Sequence, residues 1–314
     1  MSKFIAAVLA VAFTASAALA QGEQAPTLRI VSEDGNRLPS ELMYGNTKVK
    51  PLRLRPGTNT PITIDDSDFF VQQHYVDFLS RFPDQPGFVF WQNGINSCAD
   101  AVCREVSRIN TSAAFFLSIE FQNTGYFVYK THKAAFGNLS GQPVPVRRES
   151  FMPETRSIAN GIIVGNDGWE LAIAANKNAY AVAFVGRGDF QSAFPASMTA
   201  AQFVEKLYSN AGVTPTAGER SAAVAAFGSG GVAGRAAALR AVTESASLDN
   251  AEKNRAFVLM QYFGYLKRNP NEGRDTDFSG YNFWLGKLNE FGGDFVRAEM
   301  VRAFINSDEY RTRF

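Results

Sequence analysis

Two stretches of this chain repeat one pattern. The first, at residues 70–91, reads FVQQHYVDFLSRFPDQPGFVFW, and the second, at residues 257–284, reads FVLMQYFGYLKRNPNEGRDTDFSGYNFW. Phe70, Val71, Tyr75, Leu79, Arg81 and Pro83 recur as Phe257, Val258, Tyr262, Leu266, Arg268 and Pro270 at one constant offset. Gly87 before Trp91 recurs as Gly280 before Trp284, and Ser118, Glu120 and Phe121 recur as Ser307, Glu309 and Tyr310. Internal repetition fixes architecture before any single residue fixes chemistry, because a repeated unit buries its apolar face against a neighbour of its own kind.

The apolar spacing inside each copy is helical. Asp66 and Ser67 offer a helix start, and Phe70, Val71, Tyr75, Phe78 and Leu79 form a stripe that Pro83 ends. Asp84 can cap a second helix through Phe88, Trp91 and Ile95. A third runs from about Val102 through Ile109, Ala113 and Phe116. Weaker echoes in the middle place Trp169 in the slot of Trp91 and Trp284, followed by a unit that lacks Trp and carries a Gly-rich turn at 228–234. The expected fold is mainly α. Repeated three-helix units, at 67–125, 126–200 (with a long loop), 201–250 and 251–314, form a helical body, with a short extended or β N-terminal arm at 21–66. Tyr75, Trp91, Trp169, Tyr262 and Trp284 are the expected repeat core, since Trp in a repeated stripe is usually packed inside. Pro143 and Pro145 make the link between Phe136 and Trp169 read as a surface loop or extended connector.

Residues 1–20 have the pattern of a secretory signal peptide: Lys3, an apolar run, and Ala18-Leu19-Ala20 before Gln21. Cleavage between Ala20 and Gln21 leaves about 290 residues, enough for a large core. The protein is then expected to be secreted or periplasmic, and no later stretch is long and apolar enough to span a bilayer. In an oxidising compartment the two cysteines, Cys98 and Cys103, are expected to form a disulfide. The net charge of +1 implies no bulk attraction to nucleic acid.

No catalytic constellation emerges. His74 and His132 are the only histidines, neither with a metal-ligand partner at helical spacing, and His74 reads as an interface or solvated position. Gly228-Ser229-Gly230 fails the nucleophile-elbow pattern because Phe227 stands in place of its first Gly. Asn269, Asn271, Asp275 and Asp277 offer oxygen ligands for calcium, but Arg274 and Gly280 occupy the positions where an EF-hand needs Gly and Glu. No cofactor is expected.

The motifs Tyr-x3-Leu-x-Arg-x-Pro, Gly-x3-Trp and Ser-x-Glu-aromatic resemble the bacterial domain of unknown function 4214. From residue 66 to the end, with TSAAFF at 111–116 and FVLMQYFGYL at 257–266, the chain resembles secreted proteins of soil bacteria, notably acidobacteria, that carry repeats of this domain. The resemblance implies an extracellular role and supplies no catalytic residue. The functional expectation is a non-enzymatic secreted interaction or scaffold module that binds a surface protein or a glycan. The alternatives are a carbohydrate-active enzyme whose carboxylates converge between units and a calcium-dependent adhesin.

Overall fold

A computed structural model of the protein describes residues 28–32, 40–50 and 52–314. The expected signal peptide and its cleavage point at Ala20–Gln21 lie outside these residues. The fold is mainly helical, as the periodicity predicts. Ahead of the helices, β1 (Leu28–Ser32) and β2 (Ser40–Tyr44) pair antiparallel, and β3 (Thr47–Lys48) pairs with β2. Residues 52–66 then cross onto the helical body. Arg55 pairs with Asp66 and Asp68, both at 2.8 Å, and the Arg53 guanidinium stands 5.0 Å above the Phe69 ring.

The helices in the N-terminal half are α1 (Ser67–His74), α2 (Gln85–Asn96), α3 (Ala101–Leu117), α4 (Ile119–Asn123), α5 (Gly125–Phe136) and α6 (Arg148–Ala159). In the C-terminal half they are α7 (Trp169–Val185), α8 (Gly188–Ala193), α9 (Ala200–Ala211), α10 (Ala217–Phe227), α11 (Gly231–Thr243), α12 (Ala246–Gln261), α13 (Ser279–Glu290), α14 (Met300–Asn306) and α15 (Asp308–Arg311). Their starts follow capping chemistry. Asp84 Oδ1 accepts the Gly87 N–H at 2.9 Å and Asp100 accepts the Cys103 N–H at 2.8 Å. Thr199 with Gln202, and Thr216 with Glu219, close reciprocal capping boxes on α9 and α10.

Two features depart from a simple helical pattern. First, α1 and α12 each run into one π-helical turn, Tyr75–Leu79 and Tyr262–Leu266. Tyr75, Val76, Asp77, Phe78 and Leu79 of the widened turn are all buried. Each turn ends on a left-handed residue, Ser80 (φ 54°) or Lys267 (φ 56°), which swings the chain outward before its proline. Second, the link between Phe136 and Trp169 is not merely a loop. Val144 and Val146 are buried, and α6 follows directly, with Pro153 inside it. The prolines that suggest an extended connector instead steer the chain onto α5. That helix is buried at every residue from Gly125 to Ala135. Its lysines are neutralised within the body, Lys130 by Asp249 at 2.7 Å and Lys133 by Glu252 at 3.6 Å.

The two π turns pack face to face at the centre of the body. The Phe78 ring lies where a side chain at position 264 would be; a Cβ on Gly264 would stand 2.6 Å from it. Phe78 also meets Tyr265 edge-on, with 5.0 Å between ring centres. Beside this contact Asp77 is sealed from solvent and binds Arg313 through two bonds of 2.9 Å and Lys267 at 2.9 Å. Burial alone pushes the Asp77 carboxyl up, yet Arg313 and Lys267 hold it well below the usual carboxylate range. Its stabilising contribution is therefore present above the unfolded carboxyl pKa and is lost as pH falls through the native value.

Removing the carboxylate strands two cations. Asp77→Ala is expected to lower unfolding stability by about 3–5 kcal/mol in a denaturant titration near neutral pH. A loss below about 1 kcal/mol would contradict this role.

Candidate binding groove

The site is built around one tyrosine. Tyr75 lies beneath the start of α2, where a Cβ on Gly87 would stand 2.2 Å from its hydroxyl. The missing side chain lets the phenol reach the helix backbone. Burial pushes the Tyr75 phenol up to about 12. Above the Tyr75 ring, at 4.8 Å, lies the Arg81 guanidinium. It binds Glu120 through two bonds, of 2.8 and 2.7 Å, and Asp84 at 3.2 Å. Burial and these bonds act oppositely on Asp84; its capping bond to Gly87 and its pairing with Arg81 win, and its pKa lies below the ordinary value.

Phe90 stands beside this cluster and is 66 % exposed. Its ring meets Trp91 edge-on at 4.9 Å, and Trp91 leans on Phe115 at 6.0 Å. The Phe90–Trp91 pair forms a ridge between two clefts. One, of about 530 Å³, is walled by Tyr75, Arg81, Asp84, Glu120 and Val164. The other, of about 880 Å³, runs between α2 and α3 past Val106 and the Cys98–Cys103 disulfide. A third, of about 990 Å³, continues from Arg81 past Phe82 toward Gly161 and Ile163. The expected disulfide closes the α2–α3 turn with its Cα atoms 5.4 Å apart.

The C-terminal segment has the same set of contacts. Arg268 lies 5.3 Å over Tyr262 and binds Glu309 at 2.6 Å and Asp275 at 2.7 Å. A Cβ on Gly280 would stand 2.7 Å from the Tyr262 hydroxyl. Phe283 is 56 % exposed and meets Trp284 edge-on at 5.0 Å, while Trp284 packs against Phe304. Ser118 and Ser307 accept the N–H of Phe121 and Tyr310 in matching short helices.

Of the residues expected to form the repeat core, Tyr75 and Tyr262 are buried, and Trp91 and Trp284 are half-buried at the ridges. Trp169 is also half-buried, but it heads α7 after left-handed Gly168 instead of standing inside a helix. Three of the four candidate calcium residues have other engagements. Asn269 Oδ1 accepts the Arg148 N–H, Asp275 pairs with Arg268, and Asp277 accepts the Ser279 N–H. Asn271 lies in the same loop. Among the described residues no group of three or more His, Cys, Asp or Glu is placed to hold a metal.

His74 is not solvated; it is buried in the core, 1 % exposed. Its Nδ1–H donates to the Phe70 carbonyl at 2.8 Å, which leaves Nε2 to accept from the Ser112 hydroxyl at 3.0 Å. Ser112 in turn meets the Tyr265 hydroxyl. This Ser–His contact resembles half a catalytic triad, but both side chains are enclosed and His74 is oriented by a carbonyl, not a carboxylate. The sequence signal that could have revealed it is Gln261, the residue corresponding to His74 in the second copy. Gln261 is buried too and donates to the Phe257 carbonyl. An amide at that position marks a hydrogen-bonding core site.

Residues 236–314 match the model of a protein family described as a domain of unknown function (DUF4214), so a DUF4214 domain occupies the C-terminal part of the chain. No curated protein matches the chain, and no solved structure does. Among the described residues no helix is long and apolar enough to cross a membrane.

Two measurements test this geometry. Gly87→Ala forces a methyl group onto Tyr75 and is expected to cost about 1–3 kcal/mol of stability. Gly94→Ala, on the same helix with open space around it, is expected to gain up to about 1 kcal/mol. Equal effects of the two substitutions would contradict the close Tyr75 contact. Burial pushes His74 down to about 4, so the unfolded chain binds a proton first as pH falls. Melting stability should therefore drop between about pH 6.5 and 4, by on the order of 3 kcal/mol from this group. His74→Gln should flatten that slope, and an unchanged slope would refute the assignment.

Proposed function

We propose that the chain is a non-catalytic, exported interaction module that presents two aromatic ridges to an extracellular protein or glycan. Residues 67–125 are, on this reading, a second and diverged copy of the DUF4214 unit at the C-terminal end of the chain. The observation that carries the proposal is the exposure of Phe90 and Phe283. Each stands edge-on to a half-buried Trp, and Phe90 lines a cleft with Arg81, which two carboxylates hold. Large apolar side chains displayed in pairs beside clefts are a usual mark of recognition surfaces.

The carboxylates favour binding over hydrolysis. A general acid for glycoside cleavage needs a raised pKa, whereas Asp84 is held low and Glu120 and Glu309 each anchor an arginine. Export is supported by the Lys3-led apolar N-terminus with its small-x-small end, and by the disulfide.

The mature chain, residues 21–314, can be probed on a glycan array and against a panel of extracellular proteins, with and without calcium. The proposal expects saturable binding that leaves the bound molecule chemically unchanged, is indifferent to calcium, and weakens in Phe90→Ala. Turnover of a bound molecule, abolished by one substitution, would overturn it.

A further inference from the structure

We propose that the Cys98–Cys103 disulfide is a thiol–disulfide exchange site, at which an incoming thiolate attacks the exposed sulfur of Cys103. The site goes beyond the interaction-module reading and does not depend on it.

The two sulfurs have unlike surroundings. Cys98 lies just past the end of α2 and is 9 % exposed, whereas Cys103 is exposed along with Ala101, Val102 and Arg104 around it. Both cysteines line the cleft between α2 and α3, next to Gly94 and Ser107. A thiol therefore reaches the pair over Cys103 without any unfolding of the body. Cys103 also stands in the first turn of α3, a helix of 17 residues capped by Asp100. A thiolate released there faces the positive end of the helix, which helps it both as leaving group and as nucleophile for the return step. The Asp100 carboxylate, which accepts the Cys103 N–H at 2.8 Å, tempers that field.

The bond is not what closes the turn. The cysteines are only 5 apart in sequence, so the loop they tie removes little chain entropy. Without the sulfurs, α3 is still capped by Asp100 and still joined to α2 by the Ser107 hydroxyl, which donates to the Gly94 carbonyl at 2.9 Å. The C-terminal segment makes the comparable turn after α13 with no cysteine. There Gly293 donates to the Leu288 carbonyl at 2.8 Å, and Asp294 accepts the Arg297 N–H at 2.9 Å.

The chemistry balances with a thiol as the only co-reactant. The first thiolate bonds to Cys103 Sγ, the bond between the two cysteines breaks, and Cys98 Sγ leaves with the electron pair and takes a proton from water. A second thiolate then attacks the sulfur of the bound thiol and releases Cys103. Two thiols are oxidised to one disulfide, and the protein disulfide is reduced to two thiols.

The mature chain in reduced glutathione, quenched with acid and read by peptide mass spectrometry, tests this. A transient glutathione adduct on Cys103 is expected, followed by the dithiol. Its rate should lie within about tenfold of that of the urea-unfolded chain and should not change in urea too dilute to unfold the body. Oxidised glutathione should label Cys98→Ser, which keeps the exposed sulfur, at least about tenfold faster than Cys103→Ser, which keeps the buried one. The reduced parent should retain its helical circular dichroism signal, which separates exchange in the folded state from loss of folding. An adduct found on Cys98, a rate that climbs steeply with urea, or equal labelling of the two variants would overturn the proposal. The interaction-module reading is decided separately by its binding panel.

Discussion

The structure depends on a buried carboxylate that two distant parts of the chain must neutralise. Asp77 sits in the π turn after α1, Lys267 ends the π turn after α12, and Arg313 is the penultimate residue. None of the three charges is tolerable alone in a low-dielectric interior. Their mutual satisfaction brings the N-terminal segment, the DUF4214 domain and the C-terminus to one point. Arg311 repeats the gesture nearby by pairing with Asp65 on the segment that enters α1. Phe314 closes it with an edge-on contact to Phe69 at 5.5 Å.

That pairing also sets where the ridges stand on the body. Tyr75 and Tyr262 each belong to a π turn, and the two turns pack on each other through Phe78, Gly264 and Tyr265. The same turns carry the arginine, carboxylate and Trp sets outward. Gly87 and Gly280, at the starts of α2 and α13, each come up against the tyrosine of a π turn, which ties each ridge helix to the central contact. α5, buried along its length, and the α9–α11 helices extend the body away from this point.

Much of this was legible in the sequence. The glycine, the Trp and the Ser-x-Glu-aromatic motif follow Tyr75 and Tyr262 in the same order, and Asp84 announced its helix through capping chemistry. What was not legible has physical reasons. A π turn inserts a residue without leaving a periodic trace, so the burial of Asp77 cannot be read from the apolar spacing. His74 reads as polar because sequence cannot reveal that Ser112 and the Phe70 carbonyl complete its hydrogen bonds. The link after Phe136 reads as a loop because Pro143, Pro145 and Pro153 mask α6, whose start is set by a distant partner, Asn269. The inward or outward aim of Phe90 within a helix that also buries Ile95 depends on tertiary packing.

The central claim is that the two π turns form one cooperative unit. Native-state hydrogen exchange reads it directly, because each turn's amides report the free energy of the opening that exposes them. The account predicts that amides of Tyr75–Leu79 and Tyr262–Leu266 exchange with a common free energy and lose protection together as denaturant rises. Protection that survives in Tyr262–Leu266 after Tyr75–Leu79 has opened would contradict it.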